Sequence, residues 1–304
     1  MRMLFRSREM MAFHRNRVLL RFGARWALAL LLGGASLPAA HAQAGQSNKQ
    51  APAGSANQQA APPDHSPPAV NPGRPTVTDP ASLTAPGWLE AEWGTSKNLD
   101  RDRTLMTPLL LKLTARNGRV QYRLENDGYV RQGDGTEGIG DTNVALQYLF
   151  TSQERSGYDT SGRIALKIPT APASIGTRKV DYGLLLLASR DFALYPDKSP
   201  RVHGDFNLGL SSLTRQAAPG TDTQFLVSAS FTFPFKGTRW AYTNELVYFS
   251  PIQGQRAEVT TMHGLAYAAH RYAVYDIALQ WQLHGDGAVF QVLAGATFFF
   301  SKLF

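Results

Sequence analysis

The chain has 304 residues, 43% of them hydrophobic and 11% aromatic, and it carries no cysteine. Such a length can bury one large core or two small ones, and the lack of cysteine excludes a disulfide framework, a thiolate nucleophile and a cysteine zinc site. The formal charge of +8 invites a nucleic-acid partner, but residues 1–42 hold seven Arg and one Glu, and removing that +6 leaves only +2.

The first 42 residues read as a secretory signal peptide: a basic stretch, an apolar run from Trp26 to Leu32, then small residues. Ala40-His41-Ala42 supplies the cleavage pattern, so Ala40 and Ala42 mark the site, and Met10 and Met11 offer alternative starts. The run is shorter than the roughly 20 residues a spanning helix needs. Residues 43–86 are rich in Pro, Ala, Gln and Ser with almost no large apolar side chain. That composition predicts a disordered periplasmic tether. Contact with the cell wall and occlusion of a pore stand beside the plain-linker reading.

From Trp88 the pattern becomes period two. QFLVSASFTFPF sets Phe225, Val227, Ala229, Phe231, Phe233 and Phe235 against Gln224, Leu226, Ser228, Ser230 and Thr232, and YAVYDIALQWQL repeats the alternation. About twelve such runs are expected, near 88–95, 105–115, 119–126, 140–151, 161–169, 179–190, 203–213, 223–234, 239–250, 258–269, 272–283 and 288–304. An even number of segments near 9 to 11 residues predicts an all-β fold, a transmembrane antiparallel up-and-down β-barrel over residues 87–304. Short links at 115–118 and 270–271 fit turns on one side. Aromatics near the predicted ends, among them Trp88, Trp93, Tyr148, Tyr182, Trp240, Tyr248, Tyr275 and Trp281, fit headgroup belts. A soluble β-sandwich shows the same alternation turned inside out. The polar faces are rich in Ser, Thr, Asn, Gln, Gly and Ala and carry few Lys, which favours a lumen.

GIGDTNVALQYLF (138–150), RIALKIPTA (163–171), KVDYGLLLLASRDF (179–192) and HGDFNLGLSS (203–212) together resemble the phenol-degradation meta-pathway family of outer-membrane, transporter-like barrels. Gly140-Asp141-Thr142, Pro169-Thr170 and Asn207-Leu208-Gly209 carry the resemblance, and Ala171 stands where the family usually has Gly. It covers about residues 88–304. What it implies is uptake of small, often aromatic or hydrophobic molecules.

The glycines of RQGDGTEGIGD precede a strand rather than a helix, so a distal loop is expected instead of a phosphate cradle. His65, His203, His263, His270 and His284 lack metal-ligand spacing. On the alternation, Lys112, Arg119, Arg123, Arg163 and Lys167 point into the lumen from strands two to five. Asp181, Asp205, Glu245 and Asp276 do so from strands six to eleven, with Glu90 and Glu92 on the first. These arcs either set a transverse field for a polar solute or pair and plug the barrel. The expected function is passage of a small-molecule solute through the outer membrane, with no cofactor, no nucleic acid and no enzymatic activity. A structural barrel with a blocked lumen and a cell-wall-binding tether is the alternative, and a membrane-embedded hydrolase a lesser one. Besides the lipid bilayer, the expected partner is the barrel-assembly machinery, for which Phe304 is the terminal signal. Phe304→Ala should therefore lower the fraction of folded, heat-modifiable protein more than it lowers transport per folded barrel.

Overall fold

The computed structural model describes residues 68–100, 103–193, 201–214, 220–252, 255–285 and 290–304. The expected signal peptide, its cleavage residues Ala40 and Ala42, and residues 43–67 of the expected tether lie outside them. The wall consists of twelve antiparallel strands: β1 (Trp88–Asn98), β3 (Leu109–Thr114), β4 (Val120–Asn126), β7 (Thr142–Thr151), β8 (Asp159–Ile168), β9 (Asp181–Ala193), β10 (Arg201–Thr214), β11 (Thr221–Pro234), β12 (Trp240–Phe249), β13 (Glu258–His270), β14 (Ala273–His284) and β15 (Phe290–Lys302). Each pairs with its neighbour, and β15 returns to β1 in a register running from Trp88↔Lys302 to Asn98↔Gln291. Closure leaves the wall without a free edge. Among the described residues no helix is long and apolar enough to cross a membrane.

Which face points outward follows from the pleat, because neighbours on a strand face opposite ways. Leu186 is 59% exposed while Leu187 is 2% exposed. Leu146, Ile164, Leu184, Leu208, Phe225, Ile277 and Phe300 join Leu186 on an apolar outer surface, whereas Glu90, Gln121, Gln147, Asn207, Ser230 and Thr297 are buried inside. This inversion is that of a barrel in lipid.

Trp88 and Lys302 define a proximal end, where the turns 115–119 and 271–272 also lie. The predicted strand 105–115 is interrupted. Pro108 offers no N–H to the ladder, so the pairing with β1 breaks there and resumes at Leu105–Met106 (β2), which pairs with Ser96 and Lys97 of β1 and, on its other side, with Tyr129–Arg131 (β5), which pairs with Glu137–Ile139 (β6). The glycine-rich stretch expected as a plain distal loop thus contains a small hairpin.

The largest departure concerns the tether. Residues 68–86 are ordered and occupy the lumen rather than trailing from it. Val70 N–H donates to the Arg271 carbonyl in the proximal β13–β14 turn (2.8 Å), and Pro86 bridges to Thr114 at the proximal end of β3. Between these points the chain rises to Gly94, beyond the middle of β1, and returns. It is a compact re-entrant loop, its legs joined by Asn71 Nδ2 donating to Ser82 O and Oγ (3.0 and 3.1 Å). Composition misled here because the loop has no core of its own; the wall supplies its partners.

Leu186→Arg should destabilise the folded barrel by about 2–4 kcal/mol, and Gln224→Arg, on the lumen side, by about 1 kcal/mol or less. Urea titration in lipid vesicles measures both.

Candidate functional site

The site is the lumen at the level of the loop, where wall charges and loop backbone meet. Asp79 sits at its centre. Its Oδ1 accepts from Arg123 (2.9 Å) and its Oδ2 from Arg163 (2.5 Å), while Asn207 binds its backbone, accepting from N–H (2.8 Å) and donating to the carbonyl (2.9 Å). Arg163 is independently oriented by Gln147, whose Oε1 accepts from Nε (3.1 Å) and from the second terminal nitrogen (2.8 Å). Gln147 Nε2 in turn donates to Ser161 Oγ (2.9 Å) and to the Pro80 and Ala81 carbonyls. Ionised donors and acceptors make the stronger class of hydrogen bond.

Further contacts seat the loop. Glu245 accepts from Thr78 N–H (2.5 Å), Thr78 Oγ1 (2.6 Å) and Val77 N–H (3.1 Å). Glu90 accepts from Asn71 N–H and Glu92 from Gly73 N–H, both at 2.8 Å. Ser189 Oγ accepts from Ala81 N–H (2.7 Å) and donates to Asp205 (2.5 Å). Arg74 lies over Gly94 and Gly295, which face each other across the β1–β15 ladder; a Cβ on Gly94 would come within 2.3 Å of the guanidinium. The missing side chains are the seat.

The residues singled out in sequence divide as follows. Lys112 is buried and contacts Glu90 and Glu92, each at 2.5 Å, and donates to the Asn71 carbonyl (2.6 Å). Lys167 pairs with Asp181 on the adjacent strand and with Thr177 Oγ1 (2.8 Å). Asp205 meets Ser189 and His203 Nε2 (3.1 Å), whose Nδ1 meets Asp191 (2.8 Å). Asp276 is buried 3.6 Å from Arg74 Nε. Arg119 does not join them: it has the inward parity but falls short of β4, in the proximal turn, and is exposed. The two arcs therefore do not confront each other across an empty lumen. Neighbouring strands pair some of the charges, and the loop compensates the others.

Asp79, Arg74 and Thr78 were missed because they lie in the segment whose composition indicated disorder. A signal was present: Arg74 and Asp79 are the only ionised side chains between residues 68 and 86. His263 faces outward, bonded to Tyr242 Oη and stacked on Trp281. The terminal Phe304 follows the last paired residue of β15 and lies beneath the Arg116 guanidinium, 5.1 Å from the ring centre.

Two of the segments that carry the sequence resemblance meet at the distal end. Asp141 accepts from Ala171 N–H (3.0 Å), and the Thr142 and Thr170 hydroxyls lie 2.9 Å apart. The third supplies Asn207.

No family model matches the chain, and no curated protein matches its sequence. Among solved structures it is similar to an outer membrane channel from Pseudomonas putida F1, with a TM-score of 0.54 and 14% identity over 76% of this chain and 100% of that one. The NanC porin gives a TM-score of 0.49 at 10% identity over 69% and 98%, and the KdgM porin 0.48 at 10% over 70% and 99%. The fold is a closed twelve-strand antiparallel β-barrel of the kind seen in outer-membrane proteins.

Removing one partner of a buried ion pair strands the other charge. Lys112→Met should therefore cost about 3–5 kcal/mol in urea titration, and adding Glu90→Gln and Glu92→Gln should recover most of that loss.

Proposed function

We propose that the protein is a gated outer-membrane channel for small molecules, closed at rest by the 70–86 loop, with its proximal end in the periplasm. The observation that carries this reading is how the loop is held. Its contacts are hydrogen bonds and ion pairs to a polar wall, the kind that water or a polar solute can replace, whereas a permanent seal calls for apolar packing. Both legs enter by the same mouth, so the loop can leave without unpairing a wall strand.

The reading includes membership of the phenol-degradation meta-pathway family, supported by Gly140-Asp141-Thr142, Pro169-Thr170 and Asn207-Leu208-Gly209, two of which interlock distally. It also includes small aromatic or hydrophobic solutes, supported by apolar Leu187, Val247 and Met262 among the buried lumen residues. Export by the signal peptide and assembly through Phe304 belong to the same reading.

Asp79→Asn loosens the loop electrostatically, and Gly94→Val fills the seat of Arg74 without touching a charge. In planar bilayers both should raise open probability at least tenfold over a mostly silent parent. Silence from both variants, with the fold intact, would leave the structural barrel with a blocked lumen as the function.

A further inference from the structure

The basic residues of the lumen are not equivalent. Lys112 has wall carboxylates in Glu90 and Glu92, and Lys167 has one in Asp181. Arg123 and Arg163 form ion pairs with Asp79 alone among the described residues, and Asp79 belongs to the loop. Once the loop withdraws, two adjacent guanidinium groups remain without an ion-pair partner among the described residues; from the wall, Glu125 acts on both through space and Glu92 on Arg123.

We propose that Arg123 and Arg163 form the solute-binding clamp of the channel, that its ligands are small organic carboxylates with a short apolar body, and that Asp79 fills it as a built-in competitor. This rests on the reading of the barrel as a channel closed by its loop. The Arg163 half of the clamp is oriented by the wall and not by the loop: Gln147 accepts from Arg163 Nε and one terminal nitrogen and leaves the other for a ligand. The two arginines address one carboxylate, one oxygen each, and the planar donor fork of Arg suits that planar acceptor. Asn207, which binds the Asp79 backbone through both amide atoms, would take a donor or acceptor beside the carboxylate. Leu187 stands in register with both Ser161 and Asn207, so an apolar wall adjoins the clamp. A solute can approach, since the Asp79 side chain keeps 18% of its surface while those of Arg123 and Arg163 keep 7% and 6%.

The loop thus presents the carboxylate that a solute would present, and entry becomes a contest between the two. A carboxylate bound at the arginines weakens the hold on the loop, coupling recognition to opening. Neutral analogues lack that coupling. An apolar body attached to a carboxylate also accommodates an aromatic ring, so aromatic acids fall within the class.

The test is chemical rescue in the full-length protein. In Asp79→Ala the clamp is vacated, and acetate should raise the thermal midpoint of heat-modifiable migration by roughly 3 °C at about ten times its dissociation constant. Chloride at equal ionic strength and acetamide should not, and Asp79→Ala/Arg123→Gln/Arg163→Gln should lose the response. Asp79→Ser serves in the same assay should the alanine variant fail to fold. In bilayers, benzoate should raise the open probability of the parent protein several-fold more than benzamide. Equal rescue by acetamide or inorganic phosphate, no rescue by acetate, or rescue that persists without both arginines would overturn the clamp. Because rescue is read from stability, a clamp that binds carboxylate in a barrel that never conducts would fault the channel reading and leave the clamp standing.

Discussion

A charge inside a closed barrel must find an opposite charge or a set of hydrogen bonds, since the penalty for leaving it bare is several kcal/mol. The lumen of this protein meets that constraint largely by folding part of its own N-terminal segment into the barrel. Asp79 between Arg123 and Arg163 is the point where it acts most strongly. The same logic runs along the loop, where backbone N–H groups of Asn71, Gly73, Val77 and Thr78 reach Glu90, Glu92 and Glu245. Peptide N–H groups supplement Lys112 at Glu90 and Glu92 and, with the Thr78 hydroxyl, are the hydrogen-bond partners of Glu245. The wall and the loop are electrostatically incomplete without each other.

The proposed function rests on the asymmetry of that partnership. Twelve strands hydrogen-bonded edge to edge form a structure that cannot open piecemeal, while the loop is attached by side chains and can be exchanged for water or solute. Gly94 and Gly295 show that the fit is steric as well as electrostatic, because their missing side chains make room for Arg74. Rigidity resides in the wall and adaptability in the loop. This division is what the proposed gated pore requires, and in the proposed clamp recognition and closure would fall on the same residues.

Sequence pattern reveals the wall far better than its contents. Alternation in segments such as 223–234 and 272–283 identifies strands because each residue faces either lipid or lumen, and only two solvents have to be satisfied. The break at Pro108 and the hairpin at 129–139 were lost because local ladder chemistry, not alternation, decides them. Parity places Lys112, Arg123, Arg163, Asp205, Glu245 and Asp276 on the inward face, yet it gives no depth, and so it cannot separate them from Arg119, which lies in a turn. Residues 68–86 were least legible. Their order comes from partners more than a hundred residues away, such as Asn207 and Glu245, and no local composition reports such a contact.

The natural chain has no cysteine, which makes the seat of the loop directly testable. Ala81 N–H lies 2.7 Å from Ser189 Oγ, so Ala81→Cys with Ser189→Cys places a thiol on the loop beside one on the wall. Single-channel recording of this variant before and after reduction is the most direct test of closure by the loop. The account predicts that the oxidised protein stays silent under conditions that open the parent, and that reductant restores openings. Failure of the pair to cross-link in the folded barrel, or oxidised protein that conducts as freely as reduced, would contradict it.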